Sequence, residues 1–255
     1  MAQFHHAVMV AGVPEGLQIT IRWFAHFWAR KLDRWIRQSP ASRGNLGTDA
    51  RGRYWALVGC ATWPRNPVLR WHLAGYLLPG VALYRSLQMA GWPAERAATV
   101  IGAALERDTQ PRRRRFERWG QRRGFFTTFA LFVRAFTPLV CPSPGWRVEW
   151  LEISRNRIAF DMTGCFYLDT LGQLGSRELT PVYCRVDDIL NAGISPELAW
   201  SRATKLATGG ERCDSVSSAV AERMRFRSRL VAVRTGLIAH ASEQRPQGNY
   251  DQLDA

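Results

Sequence analysis

Lysine is nearly missing from this chain: Lys31 and Lys205 are the only two among its 35 basic residues, and the rest are arginine. The net charge of +14 and a pI near 10.7 raise the question of a nucleic-acid or anionic-membrane partner. So one-sided a choice of cation reflects genome composition as readily as phosphate binding. Its densest run, Arg112 to Arg115 followed by Arg118, Arg122 and Arg123, has no aromatics interleaved at a stacking spacing. A nucleic-acid partner is therefore disfavoured, and the run reads as a solvated face or a homo-oligomer contact. Histidine is also scarce: His5, His6, His26, His72 and His240 are all there are. The five cysteines, Cys60, Cys141, Cys165, Cys184 and Cys213, are an odd number with no CxxC pair and no disulfide-dense frame, which suits a reducing compartment. No apolar run is long enough to span a membrane, and the start MAQFHHAVMVAGVPEG lacks the charged lead and unbroken apolar core of a secretory signal. The expectation is a soluble, cytoplasmic protein, and no internal repeat is apparent.

The 46% hydrophobic content of 255 residues is enough for a sizeable core. Most of the eleven tryptophans lie in the first 150 residues, which points to an aromatic-rich helical layer. From Leu17 to Gln38 the residues Phe24, Phe27, Trp28, Leu32, Trp35 and Ile36 recur at helical spacing. Such a basic amphipathic helix can lie on a membrane. Docking its aromatic face on its own protein is the commoner arrangement and the one expected. Ser39 to Arg53 reads as a mobile loop. Pro79, Gly80, Gly91 and Pro93 then divide the chain into helices over about Val68–Leu78, Val81–Ala90 and Ala94–Asp108, and Phe125–Phe136 reads as a buried helix.

After Cys141-Pro-Ser-Pro-Gly145 the period changes. Trp146–Ile153 and Arg157–Met162 alternate as the strands of a hairpin around Asn156. Cys165–Leu174 and Pro181–Ala192 return to helical spacing. Ala199–Thr208 and Arg212–Ser218 flank Gly209-Gly210, which reads as the two-residue turn of a second hairpin. Met224–Ile238 reads as a basic helix and the tail from Ser242 as disordered. The predicted fold class is α+β: a helical N-terminal half, then a small antiparallel sheet of two hairpins with intervening helices. The expected division is a helical region over 1–144 that packs on the core, an α+β catalytic or ligand-binding core over 145–232, and a helix end and disordered tail over 233–255, all within one compact domain.

Three of the five cysteines fall in the segment from Cys165 to Cys213, among Asp169, Glu178, Asp187, Asp188 and Asp214. A nucleophilic thiolate needs a group to take its proton. This segment holds no histidine, so a Cys-His pair would have to draw on one from elsewhere, His72 first. Asp187 follows Cys184 by three residues and shares its helical face, as a general base to water or a ligand beside a thiolate. Alternatively Asp187 and Asp188 solvate or cap that helix, and the cysteines are core residues. Spacing alone makes a weak zinc site of Cys165, Cys184 and Cys213, although a divalent metal held by the three sulfurs stays open.

The strand end FDMTGC, the segment ELTPVYCRVDD and the closing WSRATKLATGGERCD together resemble the L-2-amino-thiazoline-4-carboxylic acid hydrolase family. ALYRSLQMAGWPAERAA is similar to that family's upstream helices, so the resemblance runs from about Leu77 to Ser218. It implies a site drawn from Cys165, Asp169, Glu178, Cys184, Asp187, Gly209, Gly210, Cys213 and Asp214. It also implies a small-molecule substrate, with hydrolytic opening of a C–N or C–S bond in a cyclic amidine. In that reading Cys184 is nucleophile or ligand, Asp187 base or orienting group, Cys165 and Cys213 co-ligands or walls, and Arg185 or Arg202 the partner of a substrate carboxylate. Two positions depart from the family pattern: Leu168 stands where a histidine is common, and Ser215 where an aromatic is. A fainter similarity to vinyl-reductase-type domains gives the alternative, a non-catalytic small-molecule-binding or sensor domain.

Overall fold

The computed structural model describes residues 15–40 and 45–220. Helix α1 (Glu15–Arg37) is followed by α2 (Leu46–Cys60), α3 (Pro67–His72), a π-helical turn over Leu73–Leu77, α4 (Leu78–Met89), α5 (Ala94–Gly120) and α6 (Phe125–Val140). The hairpin β1 (Trp146–Ile153) and β2 (Arg157–Cys165) leads into α7 (Phe166–Gln173) and α8 (Thr180–Asn191), and β3 (Leu198–Ser201) and β4 (Cys213–Ala219) close the fold. The architecture is the expected α+β one, with one antiparallel sheet among the described residues, in the order β1-β2-β4-β3.

Two apolar clusters hold it together. The larger is built on the fully buried Trp35, Tyr54 and Tyr84 with the leucines of α4, and it takes Leu171 from α7, Leu179 from the 3₁₀ turn over Arg177–Leu179 and Tyr183 from α8. Each such side chain contributes about 1.5–3 kcal/mol on burial. The smaller sets Phe125, Phe126 and Phe129 of α6 against Ile158 and Leu198 of the sheet. The helical half therefore shares its core with the elements that carry the cysteines.

Several boundaries differ from the sequence reading, each for a local reason. Helix α2 begins at Leu46, inside the stretch predicted as a loop, because Leu46, Ala50, Tyr54, Leu57 and Val58 form a buried stripe. Pro79 and Gly80 do not divide the chain: α3, the π turn and α4 run on from Pro67 to Met89, with Asn66 capping the amides of Val68 and Leu69 at 2.8 and 3.3 Å. Helix α5 passes Pro111 and carries the arginine run to Gly120; Arg107 and Pro111 are both exposed, so the carbonyl that the proline leaves without a donor is open to water. Helix α6 is not wholly buried, since Leu131, Phe136 and Leu139 face outward. On α1 the Leu32, Trp35 and Ile36 face is buried as expected, but Phe27 joins Ile19 and Trp23 on the outer face.

The second hairpin also has another turn. Ser201 pairs with Val216, so β3 stops early and residues 202–212 form the connection, with a 3₁₀ turn over Leu206–Thr208. Gly209 stands at φ +88°, and the Gly210 amide returns to the Lys205 carbonyl at 3.0 Å. The two glycines close that turn rather than a two-residue hairpin. The helix read over Met224–Ile238 and the tail from Ser242 lie outside the described residues.

The π turn has a specific use. A π turn leaves a backbone carbonyl out of the α-helical ladder, and here the Tyr183 hydroxyl donates to the carbonyl of Tyr76 at 2.9 Å. Tyr183 reaches it across Gly80, where a Cβ would collide with the tyrosine hydroxyl. Gly80→Ala should therefore destabilise the fold by about 1–3 kcal/mol. In urea titrations the double variant Gly80→Ala/Tyr183→Phe should lose less than the two single losses added together, because the colliding oxygen is gone.

Candidate functional site

The site lies where the sheet end meets α5 and α8. Cys165 ends β2 and stands at the N-cap of α7, where the amides of Tyr167 and Leu168 act on its sulfur without closing a full capping hydrogen bond. Cys184 and Asp187 share a face of α8, Cys213 opens β4, and Cys141 follows α6. All five cysteines are free thiols.

Arg202, just past β3, organises these groups. Its side chain is only 5% exposed, and it donates from Nη1 to Asp187 Oδ2 at 3.1 Å and from Nη2 to Asp188 Oδ1 at 2.9 Å and the Cys184 carbonyl at 2.7 Å. Asp188 also accepts from Lys205 Nζ at 2.8 Å and more weakly from Trp200 Nε1 at 3.4 Å. Burial works against the Asp188 carboxylate, but Lys205 and Arg202 together hold it below the ordinary range. Asp187 goes the other way. Desolvation raises it, and Arg202 only partly offsets this. Its side chain is nevertheless 58% accessible and so open to solvent. Arg202 takes Oδ2, and no described residue donates to Oδ1.

The sequence-derived residues divide in two. Cys165, Cys184, Cys213, Asp187 and Arg202 come together: after burial itself, the Asp187 charge is among the causes that push up the thiols of Cys141, Cys165, Cys184 and Cys213 alike. Cys184 is pushed up to about 12. Cys213 is buried, and its sulfur accepts from the Leu206 amide at 3.2 Å, bracing the 3₁₀ turn closed by Gly209 and Gly210. Asp169 and Glu178 are exposed, on α7 and on the short 3₁₀ turn before α8. Arg185 is 69% exposed and faces Glu106 at 4.0 Å. Asp214 accepts from the Thr204 amide at 2.5 Å and its hydroxyl at 2.9 Å; despite some burial, these bonds hold its carboxyl below the ordinary range. Among the described residues no group of three or more His, Cys, Asp or Glu is arranged to hold a metal ion. The three sulfurs are thus neighbours without forming a ligand set.

His72 is present but pairs with no cysteine. Its Nε2 lies 2.8 Å from the Val140 carbonyl, which can only accept, so Nε2 carries the proton and Nδ1 accepts from the Tyr167 hydroxyl at 2.7 Å. Burial lowers its pKa to about 4. The imidazole is thus a neutral brace for Tyr167, whose own acidity is suppressed first by burial and further by the Asp187 charge. Sequence reasoning missed Tyr167, Tyr76 and Cys141 as members of this neighbourhood. Cys141 was legible only as the break after α6, and a tyrosine carries no motif.

Residues 72–216, more than half of the chain, match the family model of L-2-amino-thiazoline-4-carboxylic acid hydrolase. The chain belongs to that family. No curated protein and no solved structure matches it. The family match begins at His72 and ends within β4, so it takes in His72, the four site thiols, Asp187 and Arg202. A hydrolase-type function follows at family level. No helix among the described residues is long and apolar enough to cross a membrane.

The His72 brace carries a pH signature. In the unfolded chain the imidazole protonates near 6.5, in the fold only near about 4. Its contribution is therefore complete above pH 6.5 and is lost as pH falls towards about 4, and it amounts to about 3 kcal/mol. Unfolding free energies at pH 7 and pH 4 should converge in His72→Gln relative to the parent protein.

Proposed function

We propose that the chain hydrolyses a small cyclic amidine of the 2-amino-thiazoline-4-carboxylate type, with Asp187 as general base. The observation that carries this reading is Asp187 itself: oriented through Oδ2 by Arg202, open at Oδ1, and raised by desolvation above the ordinary carboxylate range. A carboxylate moved towards neutrality is a better base at working pH than an ordinary one. The thiols around it are all raised, so none rests as a ready thiolate. Water is the nucleophile in this reading, and Cys184 lines the site.

Water bound at Asp187 Oδ1 adds its oxygen to the amidine carbon while the carboxylate takes its proton. The C=N electron pair moves to the ring nitrogen as the tetrahedral carbon forms; the C–S bond then breaks as the C=O forms, the hydroxyl proton passes to the ring nitrogen, and the departing thiolate takes the proton that Asp187 received. One water is consumed, a carbamoyl-cysteine is formed, and no electrons are exchanged.

The test is release of free thiol from 2-amino-thiazoline-4-carboxylate, followed with a thiol reagent. Asp187→Asn should lower kcat/KM by about 10²–10⁴-fold while leaving the thermal transition in place. In the parent enzyme kcat/KM should fall as pH drops through the raised Asp187 pKa, with an acid limb above the usual value of about 4. Cys184→Ala should retain most activity; loss as complete as that of Asp187→Asn would restore the thiol as nucleophile. Ligand binding without any thiol release by the parent protein would favour the sensor reading instead.

A further inference from the structure

A thiazoline carboxylate brings a negative charge into the site, and the two arginines first considered for it are not placed to receive it. Both terminal nitrogens of Arg202 are engaged by Asp187, Asp188 and the Cys184 carbonyl. Arg185 faces Glu106 on the outside of α8. A third arginine is better placed.

Arg112 lies on the inward stripe of α5. Ile101, Ala104, Leu105 and Thr109 bury that face, Asp108 continues it, and Arg112 follows one turn later, half-buried. Its neighbours in the arginine run differ: Arg113 is bound to Glu117 and to the Ile189 carbonyl, and Arg114 and Arg115 are exposed. Asp108 is the nearest acid along the helix face, but it is saturated by Lys31 at 3.2 Å, Arg34 at 3.5 Å and Trp35 Nε1 at 3.0 Å. Among the described residues no carboxylate forms an ion pair with Arg112.

What Arg112 does face is the site. Helix α5 runs beside α8, with Glu106 opposite Arg185 and Arg113 on the Ile189 carbonyl, and the Arg112 side chain interacts with the Tyr76 hydroxyl, its charge felt by Lys31, Tyr76, His72 and Asp187. These groups belong to α1, the π turn, α3 and α8, so the guanidinium stands where those elements converge on α5. A half-buried guanidinium with no acid beside it is costly unless an anion completes it. Its planar fork matches a carboxylate bidentately.

We propose that Arg112 is the carboxylate anchor of this site, holding a ring acid so that its amidine carbon faces the water on Asp187. This rests on the hydrolase reading for the reaction, but not for the binding. Thiazolidine-4-carboxylate, a saturated ring acid with no amidine to hydrolyse, is the binding probe, and thiazolidine the same ring without the acid. By calorimetry at pH 8 the parent protein should prefer the acid, and Arg112→Gln should weaken its binding by about 10–100-fold while binding thiazolidine as the parent does. Arg112→Lys, which keeps the charge but not the fork, should fall between them, and it decides the matter should the glutamine variant fail to fold. In turnover, the ratio of kcat/KM for 2-amino-thiazoline-4-carboxylate over 2-amino-thiazoline should collapse in Arg112→Gln. Both rings use Asp187, so the ratio removes any effect of Arg112 on that base. Equal affinity of the parent for thiazolidine and its acid, or an unchanged preference in the variants, would overturn the anchor. Preference for the acid without turnover of either thiazoline would keep the anchor and overturn the hydrolase reading.

Discussion

The buried guanidinium of Arg202 is the contact on which the geometry of this site depends. It comes from the connection between β3 and β4 and reaches two successive aspartates and a carbonyl on α8, so it joins the edge of the sheet to a helix that belongs to the other core. Burying an arginine is worthwhile only where carboxylates and geometry compensate the lost hydration, and here two carboxylates do so. The environments of those carboxylates then diverge. Asp188 gains a second cation in Lys205 and stays ionised, whereas Asp187 has one arginine and a ring of uncharged thiols. Two acids adjacent in sequence are pushed in opposite directions, the pattern that separates a structural carboxylate from a working base.

The thiols follow from the same arrangement. Four sulfurs around one carboxylate cannot readily ionise, because burial disfavours the thiolate and Asp187 adds repulsion. They make the wall of the site soft and poorly hydrated without placing a second negative charge beside the base. His72 contributes in kind: held neutral, it fixes the Tyr167 hydroxyl at 2.7 Å and leaves the site no net charge from the ring. A histidine near a cysteine cluster invites a catalytic-pair reading, and its hydrogen bonds here exclude one, since both ring nitrogens are already engaged.

What could be read in the sequence was what local pattern determines. The alternation of Trp146–Ile153, the helical spacing after Cys165 and the Cys184/Asp187 face all reappear as elements. What could not be read depends on tertiary contact. Nothing in the order of residues says that Arg202 belongs to Asp187 rather than to a substrate, or that Pro79 will sit in the first turn of a helix continuing from a π turn. The Gly209-Gly210 pair was misread for a similar reason: a glycine at φ +88° suits a hairpin turn and a 3₁₀ closure equally, and Lys205 selects the second by offering its carbonyl. Asp169 and Glu178 share the motif neighbourhood of the site residues but face solvent, because sequence proximity on α7 and its following turn does not fix which face turns inward.

The π turn at Leu73–Leu77 connects these observations. Within it the Tyr76 carbonyl accepts the Tyr183 hydroxyl at 2.9 Å, and Gly80 leaves the space for that hydroxyl to arrive. The Tyr76 side chain is then placed between two cations, with Lys31 Nζ 3.6 Å above its ring and Arg112 at its hydroxyl. Lys31 is already matched by Asp108 at 3.2 Å. Of the two cations only Arg112 remains without a carboxylate among the described residues, and it is the one whose charge reaches Asp187. The Tyr76 side chain, set on the π turn, is thus shared by a cation that Asp108 matches and a cation left without a carboxylate, and the second is the one proposed to receive an incoming acid.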